Sequence, residues 1–170
     1  MDLGGLRIQD LFKLHEDISV ELIERNIIHS SNNIIANYSE KLACESLGLI
    51  QMPESTKGYD AKDSKGLKYE IKGRKPTVKN KSRQLSALRG LDDTQFDFLI
   101  AILFEGSFEV KRAAKIPHAV VLKKSTFVLR TNSWTFHIRD ETWDMPGVED
   151  ITQEVKRVEA KHSEPQLPKK

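Results

Sequence analysis

Three observations on this sequence of 170 residues predict a single mixed α/β domain. Apolar residues recur at helical spacing through 6–28 and again through 34–47. Strand-like segments follow, centred on 96–104, where an almost continuous apolar run indicates a buried strand. A last helical pattern covers 149–160. Helices before and after a central group of strands are typical of a mixed β-sheet flanked by helices.

The order of these elements divides the chain into three parts. We expect an N-terminal helical segment at 1–30, an α/β domain at 31–160 and a flexible tail at 161–170, which contains two prolines. The polar cluster Ser30 to Asn33 separates the first two helices, and Gly48 is a suitable C-terminal cap for the second.

Shorter elements are expected between the helices. The pattern predicts strands at 59–63 and 67–72, an alternating strand from Phe108 to Ile116, and a short helix near 81–89 that ends at Gly90. Further short strands are expected at 118–122, at 126–129 and around Trp134, Phe136 and Ile138.

Composition and the absence of several motifs exclude some classes of protein. The single cysteine, Cys44, excludes an internal disulfide and a cysteine-rich zinc site, and the five histidines lack metal-ligand spacing. No phosphate-binding Gly-x-x-x-x-Gly-Lys-Ser/Thr, no Gly-x-Gly-x-x-Gly and no Gly-x-Ser-x-Gly is present. The longest apolar run, Phe98–Phe104, is too short to span a bilayer, and no secretory signal is visible. We therefore expect no membrane partner and a cytoplasmic location.

Positive charge is concentrated in one stretch, although the net charge is only +2. Six basic residues and no acid lie between positions 72 and 83: Lys72, Arg74, Lys75, Lys79, Lys81 and Arg83. A solvated loop and a phosphate-binding surface explain this stretch equally well.

The segment just before this stretch can bring two carboxylates together. If Ser64-Lys65-Gly66 forms a three-residue hairpin loop, with Gly66 in the left-handed conformation, Asp60 faces Glu70 across the hairpin. Their Cβ atoms then lie roughly 4.5–5.5 Å apart. Strand alternation places Glu70 and Lys72 on the same face. A two-residue loop would instead pair Asp60 with Tyr69 and separate the carboxylates.

Two carboxylates at that distance repel each other, and a divalent cation removes the penalty. Oxygen ligands favour Mg²⁺, and Mn²⁺ can substitute for it. The alternative is an exposed hairpin with charged side chains. A glutamate followed two residues later by lysine occurs four times: at Glu70, Glu109, Glu154 and Glu159. Only the Glu70 copy gains an acid across a hairpin and continues into the basic stretch.

Glu40 is a third candidate acid. On a helical wheel it lies within about 60° of Ala36, Ala43 and Cys44, small residues that permit close approach. An acid in such surroundings needs a partner. That partner is either the same metal site or a Lys or Arg in a structural salt bridge.

At this point the sequence resembles the PD-(D/E)xK nuclease superfamily, the restriction-endonuclease-like fold. The pattern there is a helix with a Glu, a strand with an Asp, and then (Asp/Glu)-x-Lys on the next strand. Glu40 in Tyr38-Ser39-Glu40-Lys41-Leu42-Ala43, Asp60 after Gly58-Tyr59, and Glu70-Ile71-Lys72 carry the resemblance, which also extends to small, poorly characterised bacterial members. One departure is Tyr59, where the signature has proline.

The resemblance implies Mg²⁺-dependent hydrolysis of phosphodiester bonds in DNA. Asp60 and Glu70, with the carbonyl of Ile71, become the metal ligands, Lys72 the catalytic lysine and Glu40 an assisting acid. The residues expected to contact nucleic acid are Arg74, Lys75, Lys79, Lys81 and Arg83. The superfamily also includes non-catalytic DNA-binding or assembly subunits, and a protein-interaction module is a third interpretation. Many nucleases cut both strands as homodimers, and the long N-terminal helix could serve that purpose.

Overall fold

The computed structural model describes residues 2–53 and 56–164. The described residues form the α-helices α1 (Ile8–Glu24), α2 (Ile34–Leu47), α3 (His118–Lys124) and α4 (Thr152–His162). Their strands are β1 (Ile50–Gln51), β2 (Ala61–Lys62), β3 (Lys68–Arg74), β4 (Phe98–Phe104), β5 (Val110–Pro117), β6 (Thr126–Val128), β7 (Ser133–Thr135) and β8 (Glu149–Asp150). The predicted mixed α/β architecture is confirmed.

The larger sheet of the described chain has the strand order β1-β2-β3-β4-β5-β8. Strands β3 and β4 are parallel, whereas the other neighbouring pairs are antiparallel. A parallel pair needs a long crossover, and residues 75–97 provide it. Strands β6 and β7 form a separate two-stranded sheet.

The central strand β4 is buried on both faces of the sheet, whereas the edge strands β1 and β8 are exposed. On one face, α2 and α4 pack over β3, β4 and β5. On the other face, the crossover segment, α3 and the residues around Phe136 cover a second cluster that includes Leu99 and Ile116. Burial on both faces explains why β4 is an unbroken apolar run.

Helix α2 has the predicted bounds and the caps that the sequence indicates. The Asn33 side chain accepts a hydrogen bond from the Ala36 amide at 3.1 Å, and Gly48 ends the helix in the left-handed conformation at φ +63°. Close contact with β3 occurs at Gly73, where an added Cβ would overlap Ser39 Oγ and lie 2.9 Å from Ile35 Cγ2. The absence of a side chain at this glycine therefore lets α2 sit directly on β3.

Several sequence predictions are wrong in detail. Residues 81–89 are not helical but form an irregular, extended segment, because their backbone bonds to residues 134 and 136. Residues 118–122 belong to helix α3 rather than to a strand. The C-terminal helix begins at Thr152, since Glu149 and Asp150 pair with β5 as strand β8.

The two ends of the chain also differ from expectation. Helix α1 ends at Glu24 rather than near residue 28, and among its described residues only Ser19 is buried. Helix α4 continues to His162, two residues beyond the predicted domain boundary. Residues 165–170 of the predicted tail lie outside the described residues. Within the described ranges, none of the helices combines the length and apolar character that crossing a membrane requires.

Candidate active site

The hairpin between β2 and β3 adopts the register that brings the two acids together. Ala61 pairs with Tyr69 and Lys62 with Lys68, and the Asp60 carboxylate accepts a hydrogen bond from the amide of Ile71, the residue that follows Glu70. Gly66 has φ +86°, as the three-residue loop requires, and the amide of Asp63 donates to the carbonyl of Leu67 at 3.0 Å. The predicted loop is confirmed, and the alternative two-residue loop is excluded.

Asp60 is held by its backbone and by its side chain. Its amide donates to the Tyr69 carbonyl at 2.8 Å, and its own carbonyl accepts from the Met52 amide at 2.9 Å. Its Oδ2 accepts a hydrogen bond from the Ile71 amide at 2.6 Å. These bonds fix the carboxylate beside β3, just before the start of β2.

Glu70 and Lys72 share a face of β3, as predicted from alternation. Lys72 Nζ lies 2.5 Å from Glu70 Oε1, and the two side chains are only 20% and 15% exposed. Tyr69 and Ile71 point to the opposite face, where they are buried under α2. The apolar residues of β3 thus anchor the strand while its charged residues remain on the other side.

These charges perturb one another. Burial and the neighbouring Glu70 raise the pKa of Asp60 to about 6, against opposing contributions from Lys72 and the Ile71 amide. Burial alone would lower the pKa of Lys72, but Glu70 and Asp60 outweigh it, and the pKa of Lys72 is raised. Lys72 therefore stays protonated near neutral pH, while Asp60 carries an unfavourable negative charge.

Glu40 approaches the site from α2. It is half-buried, and its Oε2 accepts a hydrogen bond from Gln51 Nε2 at 2.9 Å. Its charge contributes to the raised pKa values of both Asp60 and Lys72. Gln51 of β1 is thus a partner that the sequence analysis did not find, because nothing in its sequence context marks it.

The donor atoms fit a hard cation in type. Within residues 2–53 and 56–164, no group of three or more His, Cys, Asp or Glu side chains is arranged to hold a metal ion. Mg²⁺, however, is usually held by one or two carboxylates and keeps several waters. Asp60 and Glu70 are the two carboxylates available for such a site. The Ile71 carbonyl lies on the same edge of β3 as the Ile71 amide, which already contacts Asp60.

The candidate residues lie where three clefts adjoin. Glu40 and Lys72 line a cleft of about 610 Å³, which we call the upstream cleft. Asp60 and Glu70 line a second cleft of about 490 Å³, the downstream cleft. A third, of about 270 Å³, is lined by both Glu40 and Asp60. Open space on each side of the charged group gives a ligand access to it.

The structure separates the basic residues that the sequence grouped together. Arg74 and Lys75 line the upstream cleft beside Lys72. Arg74 Nε also donates to the Ser82 carbonyl at 2.8 Å, and Lys75 Nζ lies 4.2 Å from the centre of the Phe108 ring.

The other three basic residues lie elsewhere. Lys81 and Arg83 line a depression beside Glu105 and Lys111, away from the two carboxylates. Arg83 Nη1 also lies 2.6 Å from Asp140 Oδ1. Lys79 is exposed on the loop between Lys75 and Lys81. The continuous basic stretch is therefore two surfaces in space.

No family model matches the chain, and no curated protein matches it at a significant level. The case for this site accordingly depends on its own geometry and charges.

Proposed function

We propose that the protein is a Mg²⁺-dependent endonuclease of the PD-(D/E)xK type that hydrolyses phosphodiester bonds in DNA. The observation that carries the proposal is the geometry beside the hairpin: Asp60 Oδ2 accepts a hydrogen bond from the amide of Ile71, the residue between Glu70 and Lys72, and Lys72 Nζ lies 2.5 Å from Glu70 Oε1. Partly burying two carboxylates and an ammonium costs free energy, and a hairpin with a purely structural role would gain nothing from it. They are an arrangement suited to phosphodiester chemistry.

Each residue has a role that follows from its surroundings. Asp60 and Glu70, with the Ile71 carbonyl, would hold Mg²⁺, which when bound polarises the scissile phosphate and acidifies water. Lys72 remains an ammonium, so it stabilises negative charge that develops on the phosphate rather than accepting a proton. Glu40 adds negative charge at the α2 side, where it orients water through its carboxylate. Arg74 and Lys75 neutralise phosphates next to the scissile bond.

Cleavage of supercoiled plasmid DNA with Mg²⁺ or Mn²⁺, and with EDTA, tests the proposal. We expect Glu70→Ala and Lys72→Ala to lower the cleavage rate by at least about 100-fold while DNA binding persists. Glu109→Ala and Lys111→Ala are matched controls that should retain full activity, because this glutamate-x-lysine pair is exposed at the start of β5. Undiminished cleavage by both site variants would show that the site is wrong.

A non-catalytic DNA-binding or assembly subunit is the second candidate. It is favoured by the lack of a three-ligand metal group among the described residues. This reading predicts DNA binding without cleavage on supercoiled, linear, branched and single-stranded DNA alike. Cleavage of any of these substrates that depends on Glu70 would rule it out.

The proposal includes a cytoplasmic location and assembly of two copies. A reducing compartment is consistent with the single, buried Cys44. A dimer would use α1, whose apolar residues Ile8, Phe12 and Ile18 are exposed in this chain. Sedimentation of the protein with and without DNA measures the number of copies.

A further inference from the structure

Basic residues line both the upstream and the downstream cleft outside the proposed site. In the upstream cleft the charged lining residues outside the proposed site are Arg74 and Lys75. In the downstream cleft they are Lys57 and Arg89. Outside the proposed site, the charged residues that the described chain contributes to these two linings are therefore all basic. The acids Glu40, Asp60 and Glu70 lie between the two basic pairs. A polyanion would be attracted at both ends and exposed to the site in the middle.

Residues 84–89, which we call the ridge, lie between the two clefts and contribute to the lining of both. Leu85 and Leu88 are buried on the second core, and their amides donate to the carbonyls of Phe136 and Trp134 at 2.9 and 3.0 Å. The remaining ridge residues, Gln84, Ser86, Ala87 and Arg89, are exposed. Ala87 lines both clefts, so the two clefts meet at this residue.

Arg89 is exposed at the end of the ridge that borders the downstream cleft. The next residue, Gly90, is left-handed at φ +58°, and Gln95 packs against both Gly90 and Gly58. Gln95 thereby ties the ridge to the chain segment that leads into Asp60. Arg89 makes no ion pair with any described residue, so its guanidinium is available to a ligand.

We propose that Lys57 and Arg89 form a second phosphate-binding flank, so that one DNA strand runs from Arg74 and Lys75, past the ridge, to Lys57 and Arg89. The inference rests on the proposed function and extends it, because it names the residues that bind the strand beyond the scissile phosphate. A path with basic residues on both sides suits a bond inside a strand rather than at its end.

Salt-dependent binding of a fluorescently labelled DNA duplex, measured by anisotropy in EDTA, tests this path. The binding constant K falls as salt rises, so the slope of log K against log salt is negative. Each lost phosphate contact lowers the magnitude of this slope by about 0.9 between about 50 and 200 mM salt. We expect Lys57→Ala and Arg89→Ala each to lower it by about 1, and the double variant by about 2. Arg157→Ala is the control, because Arg157 is exposed on α4 and lines neither cleft.

Further readouts separate a binding role from loss of folding. Arg89→Lys should keep the wild-type slope, and all variants should unfold at the wild-type temperature. In plasmid cleavage, the double variant should raise KM several-fold with kcat nearly unchanged. If the wild type cleaves DNA and the double variant keeps the wild-type slope, the second flank is overturned and the proposed function stands. A lowered slope in a chain that does not cleave supports the path and overturns the function.

Discussion

Replacing Asp60 by asparagine should stabilise the metal-free protein while abolishing cleavage. The carboxyl has a pKa of about 6 in the folded chain against an ordinary value of 3.8. Since one pKa unit is about 1.4 kcal/mol, the ionised form costs about 3 kcal/mol in the fold. This net cost already includes the favourable contributions of Lys72 and of the Ile71 amide. Asparagine removes the charge and keeps an acceptor for that amide.

The sign of the pH dependence follows from proton binding. Between about pH 3.8 and 6 the folded state binds more protons at Asp60 than the unfolded state, so wild-type stability contributed by this group falls as pH rises. The increase in the free energy of unfolding that Asp60→Asn produces is therefore absent below pH 3.8, grows between pH 3.8 and 6 and is constant above pH 6. For a chain of this size, about 3 kcal/mol corresponds to a rise in Tm of about 6–12 °C.

Thermal unfolding from pH 4 to 8 in EDTA measures this difference. Asp92→Asn is the control, because Asp92 is an exposed aspartate whose replacement should change the unfolding free energy by less than about 0.5 kcal/mol. Added Mg²⁺ should stabilise the wild type, by about 2.7 kcal/mol at 100 times its Kd, and should leave Asp60→Asn unchanged. A variant that is less stable than wild type at pH 8, or an advantage independent of pH, would refute the reasoning.

Three further outcomes are expected. Gly73→Ala should destabilise the fold by about 1–3 kcal/mol, because its Cβ would overlap α2, whereas Gly106→Ala meets no atom within 4 Å and should be neutral in thermal unfolding. Glu40→Gln should lower the plasmid-cleavage rate at least about 10-fold with DNA affinity unchanged within about 2-fold; equal losses of both would contradict its assigned role. Arg74→Ala should weaken DNA binding in anisotropy more than Arg83→Ala, since Arg83 pairs with Asp140 outside the clefts, and the reverse order would show that the wrong surface was chosen.

Residues close together in the sequence determined several features of this fold. Asn33 and Gly48 set the ends of α2, and Gly66 selected the loop that brings Asp60 to the segment Glu70-Ile71-Lys72. The apolar run of β4 predicted a strand buried on both faces. These features depend on residues close together in the chain, so a turn preference or a repeat of side chains is enough to specify them.

Contacts between distant residues decided the rest. Leu85 and Leu88 are three residues apart, a spacing that suits a helix, yet their amides bond to residues 134 and 136 and the segment becomes an extended ridge. The same packing divides the basic stretch, leaving Arg74 and Lys75 in the upstream cleft and turning Arg83 toward Asp140. Sequence spacing cannot specify which surface a side chain meets when the backbone hydrogen bonds that orient it come from some fifty residues away.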